Sequence, residues 1–115
     1  MKGKKSMKRE FIMISTFDNP WKDMGLIDDD LRELQNLLLK NPFAGDIIQG
    51  TGGARKLRFA LPGTGKSSGI RIIYLDITHL KKLYLVLCYP KGKQDDLSQE
   101  QKKYVKKLIE ILKGV

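Results

Sequence analysis

The sequence predicts a small α+β domain in which an antiparallel β-sheet packs against helices. Three observations lead to this fold class. Apolar residues recur at helical spacing near both ends of the chain, they alternate with polar residues at strand spacing in its middle, and 115 residues suffice for one domain. We expect residues 1–7 to form a flexible basic leader, with Met7 as an alternative start, and residues 8–115 to form the single domain.

The first part of the domain predicts a strand and up to two helices. Residues 9–15 read as a short strand that contains the apolar stretch FIMI at residues 11–14. Residues 17–25 fit either a loop or a short helix that has Pro20 in its first turn. The early order is therefore a strand followed by helical structure.

Two longer helices have clear start signals. Residues 30–40 predict a helix in which Asp30 and Glu33 form a capping box, and a second helix begins after Ser98 with Gln101 in the equivalent position. Both carry apolar residues on one face. These residues are Leu31, Leu34, Leu37 and Leu38 in the first helix, and Tyr104, Val105, Leu108, Ile109 and Leu112 in the second.

The middle of the chain predicts three strands. Residues 55–61 alternate between apolar and mainly basic side chains, residues 69–77 are rich in β-branched side chains, and residues 80–89 are apolar on both faces. Short connections, including a turn at residues 76–80, predict an antiparallel meander. The third of these strands should be central and covered on both faces.

The charge distribution favours a polyanionic partner. The net charge is +9, and residues 55–93 carry nine basic side chains against one acid, a net +8. Residues 18–46 carry seven acids against three bases, a net −4. Segregated charge indicates a surface for nucleic acid, and a solvated basic face is the alternative.

Composition also bears on location and metals. No run approaches the roughly 18 apolar residues of a membrane helix, and the apolar stretch after the basic start is too short for a signal peptide. The single Cys88 cannot form an intrachain disulfide, so we expect a cytoplasmic protein. One His and one Cys disfavour a structural zinc site, and we expect no metal and no cofactor.

Two glycine-rich segments invite functional interpretation. Residues 63–67 (GTGKS) resemble a phosphate-binding P-loop, but Ala60 stands where that motif requires glycine and a strand follows instead of a helix. We interpret the segment as a hairpin loop whose Lys66 can lie against an RNA backbone. Residues 49–53 (QGTGG) fit either a turn with positive φ or a backbone placed close to a ligand.

Basic strand residues form the strongest functional signal. Lys56 and Arg58 are two residues apart, so they share one face of their strand. Arg71 lies on the next strand, on a face that is otherwise apolar, and needs a partner, solvent or an anionic ligand. Lys91 and Lys93 follow the last strand. We expect these five residues to converge, and the alternative is ordinary edge charge that discourages aggregation.

Such a cluster suits RNA cleavage by the substrate's own 2′-hydroxyl. Fixed cations stabilise the extra negative charge that develops on the phosphate, while a base and an acid move protons. Asp76 is isolated near a turn, capping explains the acids at 95–96, and His79 sits in a turn as an exposed polar residue. A metal-free mechanism based on Lys and Arg remains, and crowding by like charges can lower the pKa of a lysine that acts as the base.

Segments 41–58, 63–74 and 84–91, followed by the terminal helix, resemble the HigB branch of RelE-type toxins. The resemblance covers residues 8–113. It implies a RelE-like microbial RNase fold and a toxin of a type II toxin–antitoxin system that cuts mRNA in the ribosomal A site. The implied partners are the 70S ribosome, mRNA and a cognate antitoxin, often of helix-turn-helix type, with operator DNA bound only through that antitoxin and no membrane involved.

The resemblance also assigns residues. Its strand lysines correspond to Lys56 and Arg58, its strand arginine to Arg71, and the basic residue after its last strand to Lys91. Lys56 would accept the proton and the other three would bind the phosphate. Ser98 stands where the family has a C-terminal tyrosine. The expected RNA-binding residues are Arg55, Lys66, Tyr74, Tyr89 and Lys93.

Charge segregation alone would equally support a non-catalytic nucleic-acid-binding module. Such a module would bind isolated nucleic acid with a steep salt dependence and cut nothing, even on ribosomes.

Overall fold

A five-stranded sheet covered by helices on both faces forms the domain in the computed structural model, which describes residues 8–60, 69–94 and 96–114. The predicted α+β class is confirmed. In chain order the elements are β1 (Glu10–Met13), α1 (Ser15–Asp23), α2 (Asp28–Lys40), β2 (Asp46–Ile47), β3 (Arg55–Phe59), β4 (Ile70–Ile77), a 3-10 turn (Thr78–Leu80), β5 (Lys82–Pro90) and α3 (Gln99–Lys113).

The strands lie in the order β1-β5-β4-β3-β2. The pairs β3–β4 and β4–β5 are antiparallel, as the meander predicts, and the pair β2–β3 is antiparallel as well. β1 instead pairs in parallel with β5, so the sheet is mixed. No hairpin constrains this pair, because β1 and β5 are joined by a connection that passes through most of the domain.

Helix α1 begins earlier than the sequence indicates. It starts at Ser15, so Pro20 is the sixth residue of the helix and the expected place in the first turn is wrong. The longer helix brings Phe17 and Trp21 onto one face, where both are buried and their rings stack at 5.2 Å between centroids. The stabilisation from packing this aromatic pair against the sheet outweighs the cost of a proline inside the helix.

The starts of the two longer helices differ in how well they follow prediction. In α2 the Asp30 carboxylate accepts a hydrogen bond from the Ile27 N–H at 3.0 Å, so the expected Asp30–Glu33 box is wrong. The helix begins two residues earlier because a run of acids is favourable throughout its first turn. In α3 the box is confirmed: Gln101 N donates to Ser98 Oγ at 3.1 Å, and Ser98 N donates to Gln101 Oε1 at 2.9 Å.

The sheet divides the apolar interior into two clusters. α1 and α2 cover one face, and α3 covers the other. β4 and β5 are buried on both faces, which confirms the expectation for the third strand of the meander. The cluster under α1 and α2 includes Phe17, Leu34, Phe59, Ile72 and Leu85, and the cluster under α3 includes Ile73, Leu75, Val86, Val105 and Ile109.

The segment before β3 contains a strand that the sequence did not reveal. β2 is only two residues long and pairs Asp46 with Lys56 and Ile47 with Arg55. The glycine cluster that follows is a turn, as one of its two interpretations predicted, because Gly50 and Gly52 have φ of 82° and 86°.

No helix in the described part of the chain is both long and apolar enough to cross a bilayer. The expected leader at residues 1–7 lies outside the described residues.

Candidate nucleic-acid interface

A row of polar side chains crosses three strands at one end of the sheet. Arg58 on β3 is the direct partner of Arg71 on β4, and Arg71 is the direct partner of Tyr89 on β5. Lys56 lies two residues before Arg58, opposite Ile73. Because directly paired residues project from the same face, these side chains share the face that α3 covers farther along.

Arg71 has an incomplete set of partners. The residue is half-buried, and its Nε is a buried nitrogen without a hydrogen-bond partner among the described residues. A buried donor without an acceptor costs about 1–3 kcal/mol. A guanidinium group in this state indicates a place for an anion whose oxygen atoms would complete the bonding.

A glycine allows the arginine cluster to form. A Cβ at Gly69 would lie 3.3 Å from Arg58 Nε and 3.5 Å from Arg58 Cγ. The Arg58 side chain therefore lies over the backbone of the neighbouring strand. A side chain at position 69 would require the Arg58 side chain to shift by a few tenths of an ångström.

Lys56 forms an ion pair with Asp96, an acid that was expected only to cap the last helix. Its Nζ lies 2.5 Å from Asp96 Oδ1. The hydrogen bond and the charge of Lys56 lower the pKa of Asp96. Ser98, and not Asp96, is the N-cap of α3, so the earlier explanation of this acid is wrong. Asp96 thus adds a carboxylate to the edge of the charged cluster, where Asp46 on β2 is also the direct strand partner of Lys56.

A pocket of about 260 Å³ lies beside Lys56. The pocket is also lined by Tyr89, Asp96 and Lys102. Lys102 was not among the residues predicted from the sequence. Only the start of α3 beside a basic strand could have pointed to it. Tyr89 is 6% exposed, so in this conformation its ring is too covered for a base to stack over it.

The two lysines after β5 lie at the same end of the sheet as Arg71. Lys91 N donates to Gly69 O at 3.0 Å, which extends the pairing of β4 and β5 past the end of the strand, and Lys91 is half-buried. Lys93 is exposed in the following turn. The structure thus brings Lys56, Arg58 and Arg71 onto one face and places the backbone of Lys91 at its end.

Arg55, an expected contact to RNA, binds the segment of the chain that precedes β2. Its Nη1 donates to Gly45 O at 2.7 Å, and its guanidinium lies 5.1 Å from the centre of the Phe43 ring. Adjacent strand residues point to opposite faces, so Arg55 faces away from Lys56. It fastens the segment that leads into β2.

Tyr74, also expected to contact RNA, lies in the core and not at the surface. Its side chain is fully buried on the face that α1 and α2 cover. The hydroxyl donates to Pro42 O at 2.8 Å and accepts from Gly45 N at 2.9 Å. Burial raises the pKa of this phenol. Tyr74 therefore supports the same segment as Arg55 from the interior.

His79, Asp76 and Cys88 lie apart from this cluster. His79 is exposed in the 3-10 turn, as expected. Asp76 is not isolated, because Arg9 Nε lies 2.5 Å from its Oδ1 and both side chains are buried. Burial raises the pKa of Cys88 to about 12. Lys66 lies outside the described residues.

Among the residues that the structure describes, no three His, Cys, Asp or Glu side chains are grouped as a metal site would require.

The comparisons with known proteins assign the fold. No protein-family model matches the chain. The solved structure of a double arginine-to-alanine mutant of the E. coli toxin RelE in the free state is similar, with a TM-score of 0.59 and 16% sequence identity. The match covers 90% of this chain and 99% of that one. The protein is therefore a small α+β domain with a RelE-like fold, and one end of its sheet carries a cluster of cations.

Proposed function

We propose that this protein is the toxin of a type II toxin–antitoxin system, of the HigB kind, and that it cuts mRNA on the ribosome. The observation that carries the proposal is the pairing of Arg58 with Arg71, whose Nε is buried and has no partner in the part of the chain that the structure describes. The similarity in fold to a toxin that is 16% identical supports it.

The proposed reaction begins with attack of a 2′-oxygen of the RNA on the neighbouring phosphorus atom. The bond from phosphorus to the 5′-oxygen breaks, leaving a 2′,3′-cyclic phosphate and a 5′-hydroxyl. A base takes the proton of the 2′-hydroxyl, and an acid protonates the 5′-oxygen. Positive charge near the phosphate favours the transition state, because the phosphate oxygens become more negative there.

The cations of the cluster divide these tasks. Arg58, Arg71 and Lys91 bind the phosphate oxygens, and guanidinium groups suit this because they can donate two parallel hydrogen bonds. Lys56 is the proposed proton acceptor. Its Nζ lies 2.5 Å from Asp96 Oδ1, so Asp96 must move away before Nζ can contact the 2′-hydroxyl. The Asp96 side chain is 68% exposed and is free to do so.

The partners follow from the same proposal. The chain would act on mRNA in the 70S ribosome, and a cognate antitoxin, often of helix-turn-helix type, would neutralise it. Operator DNA would be bound only through that antitoxin. Because these partners are cytoplasmic, the protein would act in the cytoplasm.

The decisive test is cleavage of mRNA by the purified protein on translating ribosomes, with the 5′ ends of the products mapped. We expect cleavage by the wild type and loss of at least about 100-fold in rate for Arg71→Ala. Arg32→Ala is the matched control, because Arg32 is an exposed arginine on α2. Arg71→Lys retains the charge and separates loss of function from loss of folding.

Intact mRNA after incubation with folded wild-type protein and ribosomes would refute the nuclease. If the protein then still bound RNA with a steep salt dependence, the non-catalytic binding module would replace it.

A further inference from the structure

The solvent-facing side of α3 carries a group of lysines that the proposed cleavage site does not use. We call Lys103, Lys106 and Lys107 the lysine strip. They lie outside the buried stripe of α3, which contains Val105 and Ile109. Their spacing of three and four residues places them on neighbouring positions of the helix surface.

The lysine strip has no partner within the described part of the chain. Its three residues are exposed and form no salt bridge there, whereas Lys22 and Lys56 each pair with an aspartate. Glu110 lines the same shallow depression, yet it forms no salt bridge with the strip. Like charges at this spacing destabilise a helix, so an external anion would stabilise the arrangement.

We propose that the lysine strip binds the phosphate backbone of double-helical RNA, at a site separate from the cleavage pocket. Four helical residues rise about 6 Å, so the strip presents several cations in a row to a regularly charged polymer. Lys102 lies next to the strip in sequence and also lines the pocket beside Lys56. RNA held on α3 would therefore lie next to the strand being cut.

The chemistry of the depression favours nucleic acid over an acidic protein. Four side chains line it, and all of them are charged: Lys103, Lys106, Lys107 and Glu110. Protein interfaces have apolar or aromatic centres from which charged residues are depleted. Interfaces with nucleic acid are more polar and strongly positive. The assignment of RNA as the partner rests on the proposed ribosome-dependent function, because that function brings the protein close to RNA.

The test measures binding of an RNA duplex of about 16 base pairs by fluorescence anisotropy over a series of salt concentrations. The strip variant carries Lys103→Gln, Lys106→Gln and Lys107→Gln. The control carries Lys8→Gln, Lys22→Gln and Lys40→Gln, which are exposed lysines elsewhere and remove the same total charge. Glutamine retains helix propensity, so circular dichroism should show unchanged helix content.

We expect the strip variant to bind at least about tenfold more weakly at low salt. The slope of log affinity against log salt should fall by about 2–3, because each phosphate contact contributes about 0.7–0.9. Equal slopes for the two triple variants would overturn the proposal. Loss of binding to a polyglutamate peptide with intact RNA binding would also overturn it, in favour of an acidic protein partner.

A DNA duplex of the same sequence distinguishes the two sources of phosphate backbone. Tighter binding to RNA supports the proposal, and tighter binding to DNA overturns it. Failure of this inference differs from failure of the proposed nuclease. A wild type that cut no mRNA could still lose duplex binding through the strip variant, and a wild type that cut mRNA could show equal slopes for the two triple variants.

Discussion

Arg58 and Arg71 are direct cross-strand partners, so two guanidinium groups project side by side from one face of the sheet. Like charges directly opposite each other destabilise a pair of strands. The arrangement also leaves Arg71 Nε buried without an acceptor from residues 8–60, 69–94 or 96–114. Both costs disappear when one phosphate group lies between the two side chains, and this is the physical basis for the predictions that follow.

If Arg58 and Arg71 act on one phosphate, their effects on cleavage should not be independent. We expect Arg58→Ala and Arg71→Ala each to lower the rate about 100-fold, and the double variant to lose much less than the product of the two. Rates of mRNA cleavage on ribosomes measure this in a double-mutant cycle. A control cycle of Arg58→Ala with Arg32→Ala should be additive. Full additivity of the Arg58 and Arg71 effects would contradict a shared phosphate.

Asp96 competes with RNA for Lys56, so its removal should strengthen binding. For Asp96→Asn we expect the slope of log affinity against log salt to steepen by about 0.7–0.9, the value of one phosphate contact. Binding of a single-stranded RNA at several salt concentrations measures it. Asp29→Asn is the control, because Asp29 likewise forms an exposed ion pair with a basic residue, in its case Arg32. An unchanged slope would mean that Lys56 does not contact phosphate.

The same ion pair should make stability depend on pH in one direction. Lys56 lowers the pKa of Asp96 below its ordinary value of 3.8, so the pair stabilises the folded state fully above that value. The stabilisation should vanish as the pH falls through the lower folded value. Thermal melts of wild type and Asp96→Asn should therefore differ at pH 7 and converge in strong acid. A difference that grew toward acid pH would contradict the pair.

Tyr74→Phe should destabilise the fold and leave the RNA-binding chemistry intact. The variant leaves Pro42 O and Gly45 N without their hydroxyl partner, and we expect unfolding to become easier by about 1–3 kcal/mol. Urea denaturation measures the loss. Tyr104→Phe, at a 40% exposed tyrosine, should change stability less. Unchanged stability with weakened RNA binding would restore the role in RNA contact that the sequence suggested.

Gly45 should tolerate no side chain. A Cβ there would lie 2.7 Å from Lys56 O and 2.9 Å from Tyr74 Cε1, so Gly45→Ala must shift the strand that carries Lys56. We expect a loss of about 1–3 kcal/mol in stability and slower cleavage. Gly92→Ala is the control, because a Cβ at Gly92 would have no neighbour within 4 Å. Equal stability of the two variants, in thermal melts, would show that the loop moves freely.

Sequence patterns with a local physical cause predicted their elements well. The three strands of the meander and the Ser98–Gln101 capping box were recovered because periodicity and capping act within a few residues. The start of α1 was misplaced because burial of Phe17 and Trp21 against the sheet outweighs the local preference of Pro20. The parallel pairing of β1 with β5 joins residues about 70 positions apart, for which the sequence offers no local signal.

The features of the candidate site also fall into those that the sequence predicted and those that only the tertiary structure decided. The sequence by itself determined that Lys56 and Arg58 share a face, because side chains alternate strictly along a strand. The tertiary structure alone decided that Arg58 lies directly opposite Arg71, that Asp96 holds Lys56, and that Arg55 and Tyr74 support a loop. Strand register and contacts between distant segments depend on how the whole core packs, and no short stretch of sequence specifies that packing.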